Sequence, residues 1–333
     1  MILCNVPAKA GLPVLEDFVR RSTGLLKADG KVFLVAVNTL AGFFRSRIAA
    51  LASPIKEKAG NEHTVFVYGK ADGPADGKAD SKSDGKADST GPALPLLFDE
   101  SFPQSYPFYI RHRNEYEMEK IPYRLDTVHG AADFDSPGGA VQAAAKLAVK
   151  IGLAEKLALS SPGNVLIHDD AGQGHFALWL AHYLEEKENR REIRWLFSGR
   201  NVLALAAAKA ALASARAAMP SLIIPSADIF LDREALASAS TQAGGHSGKG
   251  FALIAFFPEA VPETDRHQAA WDGLSYLAAG NEDAGDERPG GIVIAAMSST
   301  EAERFDRKKP AAFARLGEVK RRGFRALAYR RNI

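Results

Sequence analysis

The stretch NVLIHDDAGQGHFALWL, residues 164–180, combines three local signals that predict a strand, a tight turn and a helix. The apolar run Val165–Ile167 predicts a buried strand, and two aspartates follow it. Gly172 and Gly174 predict a tight turn, because glycine adopts backbone conformations that other residues resist. Phe176–Leu184 is again apolar and compatible with a helix. Such a turn brings backbone close to a ligand and faces it with the free N–H groups of a helix N-terminus.

The composition describes a chain that can bury a large core and carries almost no net charge. Of its 333 residues 46% are hydrophobic, enough for one large domain and a smaller piece, and the formal net charge is +2. The single cysteine, Cys4, excludes an intrachain disulfide bond and fits a reducing compartment. The sequence shows no apolar run of membrane-spanning length and no signal peptide, so we expect a soluble cytoplasmic protein.

Residues 1–68 predict a small N-terminal unit. The apolar runs Met1–Cys4, Lys31–Val37 and His63–Tyr68 predict strands, and the spacing of apolar residues in Val14–Leu26 predicts a helix. Three strands with little helix make a thin core for an independent domain. We therefore expect this unit to be the back half of a larger fold.

Residues 69–93 differ in composition from both flanking regions. The sequence GKAD recurs at Gly69, Gly77 and Gly85, and no large apolar residue stands between the repeats. Such a composition cannot offset the entropy that is lost on ordering, so we predict a flexible linker. The folded chain then resumes, and we assign residues 94–333 to a single large domain.

An aromatic and basic stretch, Phe98–Tyr123, follows the linker. Its aromatic residues are interspersed with arginines and lysines, a pattern that can stack bases and contact phosphates. The same pattern fits a packed edge element, so the sequence leaves both interpretations open. Thr127–Leu147 then predicts a loop that leads into a helix beginning near Gly138 or Gly139.

After the glycine turn, strands and helices alternate regularly. Strands are predicted at 193–197, 222–224, 251–257, 291–297 and 324–330, and helices at 202–218, 266–279 and, despite Pro310, 301–316. Strands separated by helices of this length form a parallel sheet covered on both faces, the doubly wound α/β architecture. A ligand of such a sheet binds at the carboxyl ends of the strands, where the turn Asp170–Gly174 lies.

The order of these elements resembles that of the class I S-adenosylmethionine-dependent methyltransferases, and more narrowly the two-domain ribosomal RNA guanine-N2 methyltransferases of the small-subunit type. Asp170–Gly174 matches the Asp-x-Gly-x-Gly cofactor motif. Thr127–Leu147 is similar to the segment that precedes the cofactor domain, and Lys320–Arg330 is similar to the closing hairpin. The resemblance implies a mostly parallel seven-stranded sheet with an antiparallel C-terminal hairpin.

The N-terminal unit resembles the same fold from its fourth strand onward. Asn5-Val6-Pro7-Ala8 stands where the family has Asn-Pro-Pro-Phe, and Lys56–Lys70 parallels Val319–Arg331. The resemblance therefore implies an internal duplication whose first copy is a partial, degenerate version of the methyltransferase fold.

The resemblance also implies a site for S-adenosylmethionine at the glycine turn. Asp170, Gly172 and Gly174 would bind the cofactor, and Asp228 would contact its adenine amine. The family places a carboxylate at the end of the second strand, where it binds the ribose hydroxyls. This chain has Ser198-Gly199-Arg200 there instead. A short glycine motif also fits a plain strand-to-helix turn, so that interpretation stays open.

The family's chemistry is methyl transfer to an exocyclic amine. An Asn side chain and a Pro carbonyl accept the hydrogens of the amine, and an aromatic ring stacks on the base. The corresponding residues here are Phe257, Pro258 and Glu259, of which Pro258 keeps a carbonyl and Glu259 can accept an amine hydrogen. Phe257, or Phe256 before it, can stack on the base or belong to the core.

Basic residues are concentrated at the carboxyl end of the chain. They outnumber the acidic residues of the segment and comprise Arg304, Arg307, Lys308, Lys309, Arg315, Lys320, Arg321, Arg322, Arg325, Arg330 and Arg331. This Arg304–Arg331 basic face fits a surface that contacts the phosphates of RNA, under the resemblance ribosomal RNA, but it also fits a solvated surface. His168 and His175 flank the turn without clustered ligands of metal-site type, so we expect no metal.

We therefore expect an S-adenosylmethionine-dependent RNA methyltransferase that acts on the exocyclic amine of a guanine, with a degenerate catalytic motif. The alternative is a non-catalytic RNA-binding or ribosome-assembly module that keeps the fold. A third function, an α/β enzyme with another nucleotide cofactor, is compatible with the glycine turn alone. The missing carboxylate after the second strand and the closing hairpin argue against this third function.

Overall fold

The computed structural model of the chain divides into two compact units, Met1–Pro95 and Leu96–Ile333. The structure describes residues 1–6, 10–70, 102, 106–131, 133, 135–158, 163–169, 172–187, 193–215, 221–225, 233–242, 250–259, 266–279 and 290–332. Most of the predicted linker, together with Asp170 and Asp228, lies outside these residues.

The described residues of the first unit form a four-stranded sheet with two helices. Its elements are β1 (Ile2–Asn5), α1 (Leu12–Gly24), β2 (Lys31–Val37), α2 (Ala41–Leu51), β3 (Ser53–Ala59) and β4 (His63–Gly69). The strand order is β1-β2-β4-β3, with β1 parallel to β2 and the other pairs antiparallel. The expectation of three strands with little helix was wrong, because β3 is almost wholly exposed and its sequence SPIKEKA lacks alternating apolar residues.

The second unit begins with a hairpin and continues with alternating strands and helices. Its elements are β5 (Ile110–Met118), β6 (Ile121–Val128), α3 (Gly139–Lys150), α4 (Leu153–Ala158), β7 (Gly163–Asp169), α5 (His175–Glu186), β8 (Ile193–Gly199), α6 (Val202–Ala215), β9 (Ser221–Pro225), α7 (Arg233–Gln242), β10 (Leu253–Phe257), α8 (His267–Leu277), β11 (Ile292–Ser298), α9 (Ser299–Arg307), β12 (Phe313–Arg321) and β13 (Phe324–Arg331). The helix predicted to begin near Gly138 or Gly139 is α3.

Within the described residues, the main sheet has seven strands in the order β12-β13-β11-β10-β7-β8-β9. The strands from β11 to β9 in this order are parallel, and β13 is antiparallel to both β11 and β12. This confirms the predicted mostly parallel sheet with an antiparallel closing hairpin. The chain order reverses between β7 and β10, so the carboxyl end of β7 lies at the topological switch point.

Helices cover both faces of this sheet, as the doubly wound architecture requires. Val165 and Ile167 of β7 belong to the core that includes α3, α5 and α6, whereas Leu166 belongs to the core that includes α8 and α9. Because alternate side chains point to opposite faces, a strand buried on both sides is a continuous apolar run. None of the described helices is both long and apolar enough to span a membrane.

The predicted helix 301–316 was wrong in its second half. The helix α9 ends at Arg307, and β12 begins at Phe313. Pro310 stands between them, where it supplies no N–H donor and disfavours helical backbone at Lys309. The closing hairpin therefore begins well before Lys320.

The first unit repeats the arrangement of the last four strands of the second. The order β1-β2-β4-β3 corresponds to β10-β11-β13-β12, with the same parallel and antiparallel pairings. Each closing hairpin also has one irregularity of register at the same place, between Pro54 and Lys56 in β3 and between Arg315 and Gly317 in β12. This agrees with the predicted partial copy of the fold.

The two irregularities align the copies residue by residue. When the two irregularities are aligned, the strand pairings of each copy can be followed outward from them. Asn5, the last residue of β1, then lies at the position of Phe257, the last residue of β10. The same alignment places Lys56 level with Gly317, two positions before the predicted Val319. The first copy therefore keeps an Asn where the second has an aromatic residue.

Candidate functional site

The glycine turn connects β7 to α5 at the carboxyl edge of the sheet. The backbone N–H of Gly172 donates to Oδ1 of Asp169 at 2.8 Å, and a Cβ on Gly172 would collide with that carboxylate. Gly174 caps α5 with a φ of 102°, and a Cβ there would lie 2.7 Å from the Cβ of Ala208 in α6. Gly174 therefore requires glycine for both space and backbone conformation, whereas a side chain at Gly172 would have to displace the Asp169 carboxylate.

The turn also exposes the positive end of a helix. Leu178 is the first residue of α5 to donate within the helix, to the Gly174 carbonyl at 2.9 Å, so the N–H groups before it have no helical carbonyl to bind. Those groups and the helix dipole favour a negatively charged ligand group. Of the predicted cofactor residues, Gly172 and Gly174 form this turn, whereas Asp170 and Asp228 lie outside the described residues.

Asp133, from the loop before α3, reaches the turn from outside the sheet. Its Oδ1 accepts a hydrogen bond from Nε2 of Gln173 at 2.8 Å, and Oε1 of Gln173 accepts one from the N–H of Val128 at 2.7 Å. The Asp133 side chain is only 9% exposed. Its burial and, second, the negative charge of Asp169 raise the pKa of Asp133 to about 8. This carboxyl is therefore mostly protonated at neutral pH.

His175, the first residue of α5, lies between Asp133 and the hairpin. Its Nδ1 is 2.9 Å from the hydroxyl of Tyr123, and its Nε2 is 3.9 Å from Oδ2 of Asp133. The side chain is fully buried, and its Nε2 has no hydrogen-bond partner among the described residues. Tyr116 stacks on Tyr123 and packs edge-on against the imidazole. Burial lowers the pKa of His175 to about 4, so the ring is neutral at physiological pH.

The predicted catalytic residues Phe257 and Pro258 lie at the end of β10, next to β7. Phe257 is 5% exposed, and its ring packs against Phe176 of α5 with the centroids 5.1 Å apart. Phe256 belongs to the core on the opposite face of the sheet. Pro258 follows the strand and is half-buried. Phe257 is thus packed as a core residue at the level where the first unit has Asn5.

Glu259, the third predicted catalytic residue, forms an ion pair with Arg200, the residue that follows β8. Because β7 lies between β8 and β10, this ion pair spans the width of β7 at the carboxyl edge of the sheet. The ion pair occupies the carboxylate of Glu259, which the sequence analysis expects to accept a hydrogen of the target amine. It also places a cation where the family has its ribose-binding carboxylate.

Many side chains of the Arg304–Arg331 basic face already bind acidic or polar partners. Arg325 lies 2.6 Å from Glu318 and 3.8 Å from Glu303, and Arg315 pairs with Asp306 and Glu318. The exposed members of this segment include Arg307, Lys320 and Arg322. The positive charge available to a partner is therefore smaller than the sequence count indicates.

The described part of the aromatic and basic stretch forms β5, the start of β6 and the turn between them. Tyr109 and Tyr123 are buried, and the arginines Arg111 and Arg113 form ion pairs with Asp135 and Asp126. This arrangement favours the packed edge element over a base-stacking surface. Within the described part of the chain, no three His, Cys, Asp or Glu side chains are placed to hold a metal ion.

Sequence reasoning missed the polar groups that converge on the turn. Asp133 and Gln173 were not candidates, because their contact joins segments 40 residues apart. His175 was considered only as one of the two histidines that flank the turn. The structure identifies these residues through their burial, because His, Gln and Asp are rarely buried unless they bind one another or a ligand.

No family model matches this chain, and no curated relative does. The T. thermophilus 16S rRNA N2 G1207 methyltransferase (RsmC), solved in complex with AdoMet and guanosine, is 13% identical, with 99% of this chain and 72% of that one covered and a TM-score of 0.52. The N-methyltransferase NodS from Bradyrhizobium japonicum is 15% identical, with 56% of this chain and 96% of that one covered and a TM-score of 0.33. The chain therefore has the fold of the class I methyltransferases and resembles the two-domain ribosomal RNA guanine-N2 methyltransferases, as the sequence predicts.

Proposed function

We propose that this chain is an S-adenosylmethionine-dependent methyltransferase that acts on RNA. The observation that carries the proposal is the glycine turn at the switch point, where a Cβ on Gly172 would collide with Asp169 and one on Gly174 with Ala208. The turn leaves the first N–H groups of α5 available for the carboxylate of an amino acid. The buried, unpartnered Nε2 of His175 beside the turn further supports a ligand at this place.

The finer proposal is that the acceptor is the exocyclic amine of a guanine in ribosomal RNA. When bound, S-adenosylmethionine supplies the methyl group as an electrophile. The Pro258 carbonyl would accept one hydrogen of the amine, and Glu259 would accept the other after leaving Arg200. Both groups act by orienting the amine lone pair and holding it against the methyl carbon. The resemblance of the whole chain to a guanine-N2 methyltransferase supports this choice of acceptor.

Calorimetric titration with S-adenosylmethionine tests the cofactor. We expect binding by the native chain and none by Gly172→Ala, because the added methyl group displaces Asp169 and distorts the turn. Gly24→Ala is the matched control, since a Cβ there meets no atom within 4 Å and the residue belongs to the first unit. Native-like circular dichroism of both variants is required. Equal binding by both variants would argue against the site.

Transfer of a labelled methyl group to ribosomal RNA tests the reaction. Label recovered as N2-methylguanosine after digestion to nucleosides would support the proposal. We expect Glu259→Gln to lower the rate and leave cofactor binding unchanged, because the side chain orients the acceptor. Methylation of another nucleoside would support the proposed RNA methyltransferase activity but would overturn the proposal that guanine is the acceptor.

A second candidate is the non-catalytic RNA-binding or ribosome-assembly module. Two observations favour it: Phe257 is a core residue at the level of Asn5, and Glu259 is engaged by Arg200. This function requires RNA binding without cofactor affinity. Calorimetry with S-adenosylmethionine and with ribosomal RNA, carried out in parallel, separates the two candidates.

RNA contact by the Arg304–Arg331 basic face is tested by the salt dependence of binding. Lys320 is exposed on β12, and its removal by Lys320→Ala should reduce the slope of log affinity against log salt by about 0.7 to 0.9, the value for one lost phosphate contact. The control is Lys58→Ala, an exposed lysine on β3, the strand of the first unit that corresponds to β12. An unchanged slope for Lys320→Ala would assign the contact to another surface.

A further inference from the structure

The Arg304–Arg331 basic face is divided between two opposite edges of the main sheet. Because β13 is antiparallel to β11, its first residue, Phe324, pairs with Ser298 at the carboxyl edge, whereas Arg331 ends the strand at the amino edge. The helix α9 runs from the carboxyl edge to the amino edge, where it ends in Arg307. Since β13 has 8 residues and spans about 25 Å, basic groups at its two ends cannot contact the same phosphate.

The tip of the closing hairpin, residues 320–323, lies at the same edge of the sheet as the glycine turn. The strand pairings place Asp169 of β7 level with Ala326 of β13, two residues from the start of that strand. The hairpin tip therefore extends about 7 Å beyond the end of β7, and three strand spacings separate it from β7 by about 14 Å. An RNA segment whose acceptor nucleotide lies at the glycine turn can thus reach the hairpin tip.

The hairpin tip carries consecutive cationic side chains and no acidic residue. Lys320 and Arg322 are exposed and form no ion pair among the described residues. Arg321 donates from Nε to Oε1 of Gln142 in α3 at 3.0 Å, and this hydrogen bond holds the tip against the helix. Lys320 and Arg322 can therefore bind an anion without first breaking an ion pair, unlike Arg325, which pairs with an acidic side chain.

The backbone of the hairpin tip is unfavourable for an arginine. Arg322 has a φ of 45° and Gly323 a φ of 82°, the pattern of a type I′ turn, in which Asn-Gly is a preferred pair. Asparagine and glycine adopt this left-handed conformation more readily than arginine does. The corresponding turn of the first unit, residues 60–62, contains no basic residue and no positive φ. The first unit therefore forms its hairpin without a strained cation.

We propose that the hairpin tip binds a phosphate of the RNA segment beside the acceptor nucleotide, and that the basic residues at the amino edge do not contact this RNA. The inference rests on the RNA partner of the proposed function and assigns the contact to one edge of the sheet. Such a contact positions the RNA without reading its sequence. Because the contact is an exposed electrostatic one, its loss weakens the salt dependence of RNA binding.

Fluorescence anisotropy of a short, labelled, single-stranded RNA that contains one guanine measures affinity as a function of salt, with no cofactor added. The variant Arg322→Asn removes the charge and supplies the residue that a type I′ turn prefers. The slope of log affinity against log salt should decrease by about 0.7 to 0.9, and affinity at about 0.1 M salt should fall about five- to eightfold. A slope equal to that of the native chain would overturn the inference.

Urea unfolding of the same variant distinguishes an RNA contact from a structural role of Arg322. We expect the midpoint of unfolding to rise in Arg322→Asn, because the substitution relieves backbone strain. The variant should therefore be more stable and bind RNA more weakly. A lower midpoint together with an unchanged salt slope would show that Arg322 supports the fold, and would overturn the inference.

Two matched variants separate the hairpin tip from other basic surfaces. Arg307→Gln removes an exposed arginine at the amino edge, and Lys120→Asn removes an exposed lysine with a φ of 66° from the turn between β5 and β6. Neither variant should change the salt slope. A decrease for Arg307→Gln as large as that for Arg322→Asn would overturn the assignment to the carboxyl edge. The same result for Lys120→Asn would assign the contact to the other hairpin and would also overturn the inference.

Two further variants at position 322 separate charge from side-chain shape. Arg322→Lys keeps a positive charge, so its salt slope should equal that of the native chain. Arg322→Gly removes the charge and suits the positive φ, so it replaces Arg322→Asn if that variant does not fold. A native slope for Arg322→Gly would overturn the inference.

The remaining outcomes separate this inference from the proposed function. Failure of the native chain to bind the RNA would overturn the RNA partner of the proposed function, and this inference with it. A decreased slope for Arg322→Asn in a chain without affinity for S-adenosylmethionine would overturn the methyltransferase and support the inference. Methyl transfer to RNA by the native chain, together with a native slope for Arg322→Asn, would overturn the inference alone.

Discussion

At the residue scale, Gly174 tests how closely the turn is packed. We expect Gly174→Ala to destabilise the second unit by more than about 2 kcal/mol, because a φ of 102° strains alanine and its Cβ would lie 2.7 Å from Ala208. Gly323→Ala separates the two causes, since Gly323 has a φ of 82° but no atom within 4 Å of an added Cβ. It should lose only about 1 to 2 kcal/mol.

Urea unfolding followed by tryptophan fluorescence measures both glycine variants. The chain has three tryptophans, Trp179, Trp195 and Trp271, and all of them lie in the second unit. Equal losses for the two variants would mean that backbone strain dominates and that α6 yields to the added methyl group.

His175 gives a residue-scale prediction of pH dependence. Burial lowers its pKa to about 4 in the folded state, whereas an unfolded histidine titrates near pH 6.5. Between these values the unfolded chain binds a proton at this histidine that the folded chain does not, so the contribution of His175 to the stability of the native chain decreases as the pH falls. The total loss from this group is about 3 kcal/mol, and His175→Gln should remove it.

The measurement is urea unfolding of the native chain and of His175→Gln between about pH 4 and about pH 7. His182→Gln is the control, because His182 lies on the same helix with a side chain that is 31% exposed. A native chain and a His175→Gln variant that lose stability in parallel on acidification would show that another group is responsible.

The residues of the site divide into those that sequence can and cannot predict. Gly172 and Gly174 are predictable, because the steric demand on a glycine turn is local and leaves a motif. The contact of Asp133 with Gln173 depends on the path of a loop before α3, and no local pattern encodes it. The buried Phe257 was foreseen only as one of two interpretations, since stacking and core packing require the same kind of side chain.

At the scale of the elements, the aromatic cluster that joins α8 to the closing hairpin can be tested. Trp271 stacks on Phe305 with a centroid distance of 4.3 Å and donates from Nε1 to the Phe305 carbonyl at 2.8 Å. Its ring also packs against Phe313 and Tyr329. We expect Trp271→Ala to lower the free energy of unfolding by about 3 to 5 kcal/mol, because it leaves a cavity and an unpaired carbonyl.

Tyr276→Ala on the same helix is the control for Trp271. Tyr276 is 46% exposed. Among the described residues, its ring makes a cation–π contact with Arg233 and no aromatic contact. The free energy of unfolding should therefore fall by less than about 1 kcal/mol. Because Trp271 is itself a probe, circular dichroism should follow this unfolding. Similar losses for both variants would mean that the cluster relaxes around the cavity.

The elements that sequence predicted are those with one dominant apolar pattern. The central strands are buried on both faces, so they appear as continuous apolar runs such as FALIAFF at 251–257. The exposed strand β3 carries charges on both faces, and β5 has few apolar residues, so neither strand leaves such a pattern. The helix α9 ends at Arg307, three residues before Pro310, and this proline excludes the continuous helix predicted over 301–316.

At the scale of the whole molecule, the duplication allows two copies of one strand arrangement to be compared. The second copy is part of a seven-stranded sheet with cores on both faces, whereas the first copy has one core on one face. The sequence indicated the duplication through the Asn5 segment and the closing hairpin. It could not indicate the register, which became visible only through the shared irregularity in β3 and β12.

This difference in burial predicts different local stabilities for equivalent strands. Parallel strands β2 and β11 occupy the same place in the two copies, yet β11 is buried on both faces and β2 on one. We expect the amides of Lys31–Val37 to exchange with solvent at least about tenfold faster than those of Ile292–Ser298, after correction for intrinsic rates, because local opening of β2 exposes less apolar surface.

Hydrogen exchange with mass spectrometry measures both strands in one sample, and Phe44→Ala provides the control. Phe44 is fully buried in the core of the first unit, so its removal should accelerate exchange in β2. If the units unfold independently, exchange in β11 stays unchanged, as their separate cores require. Acceleration in both strands would instead mean that the first unit stabilises the second.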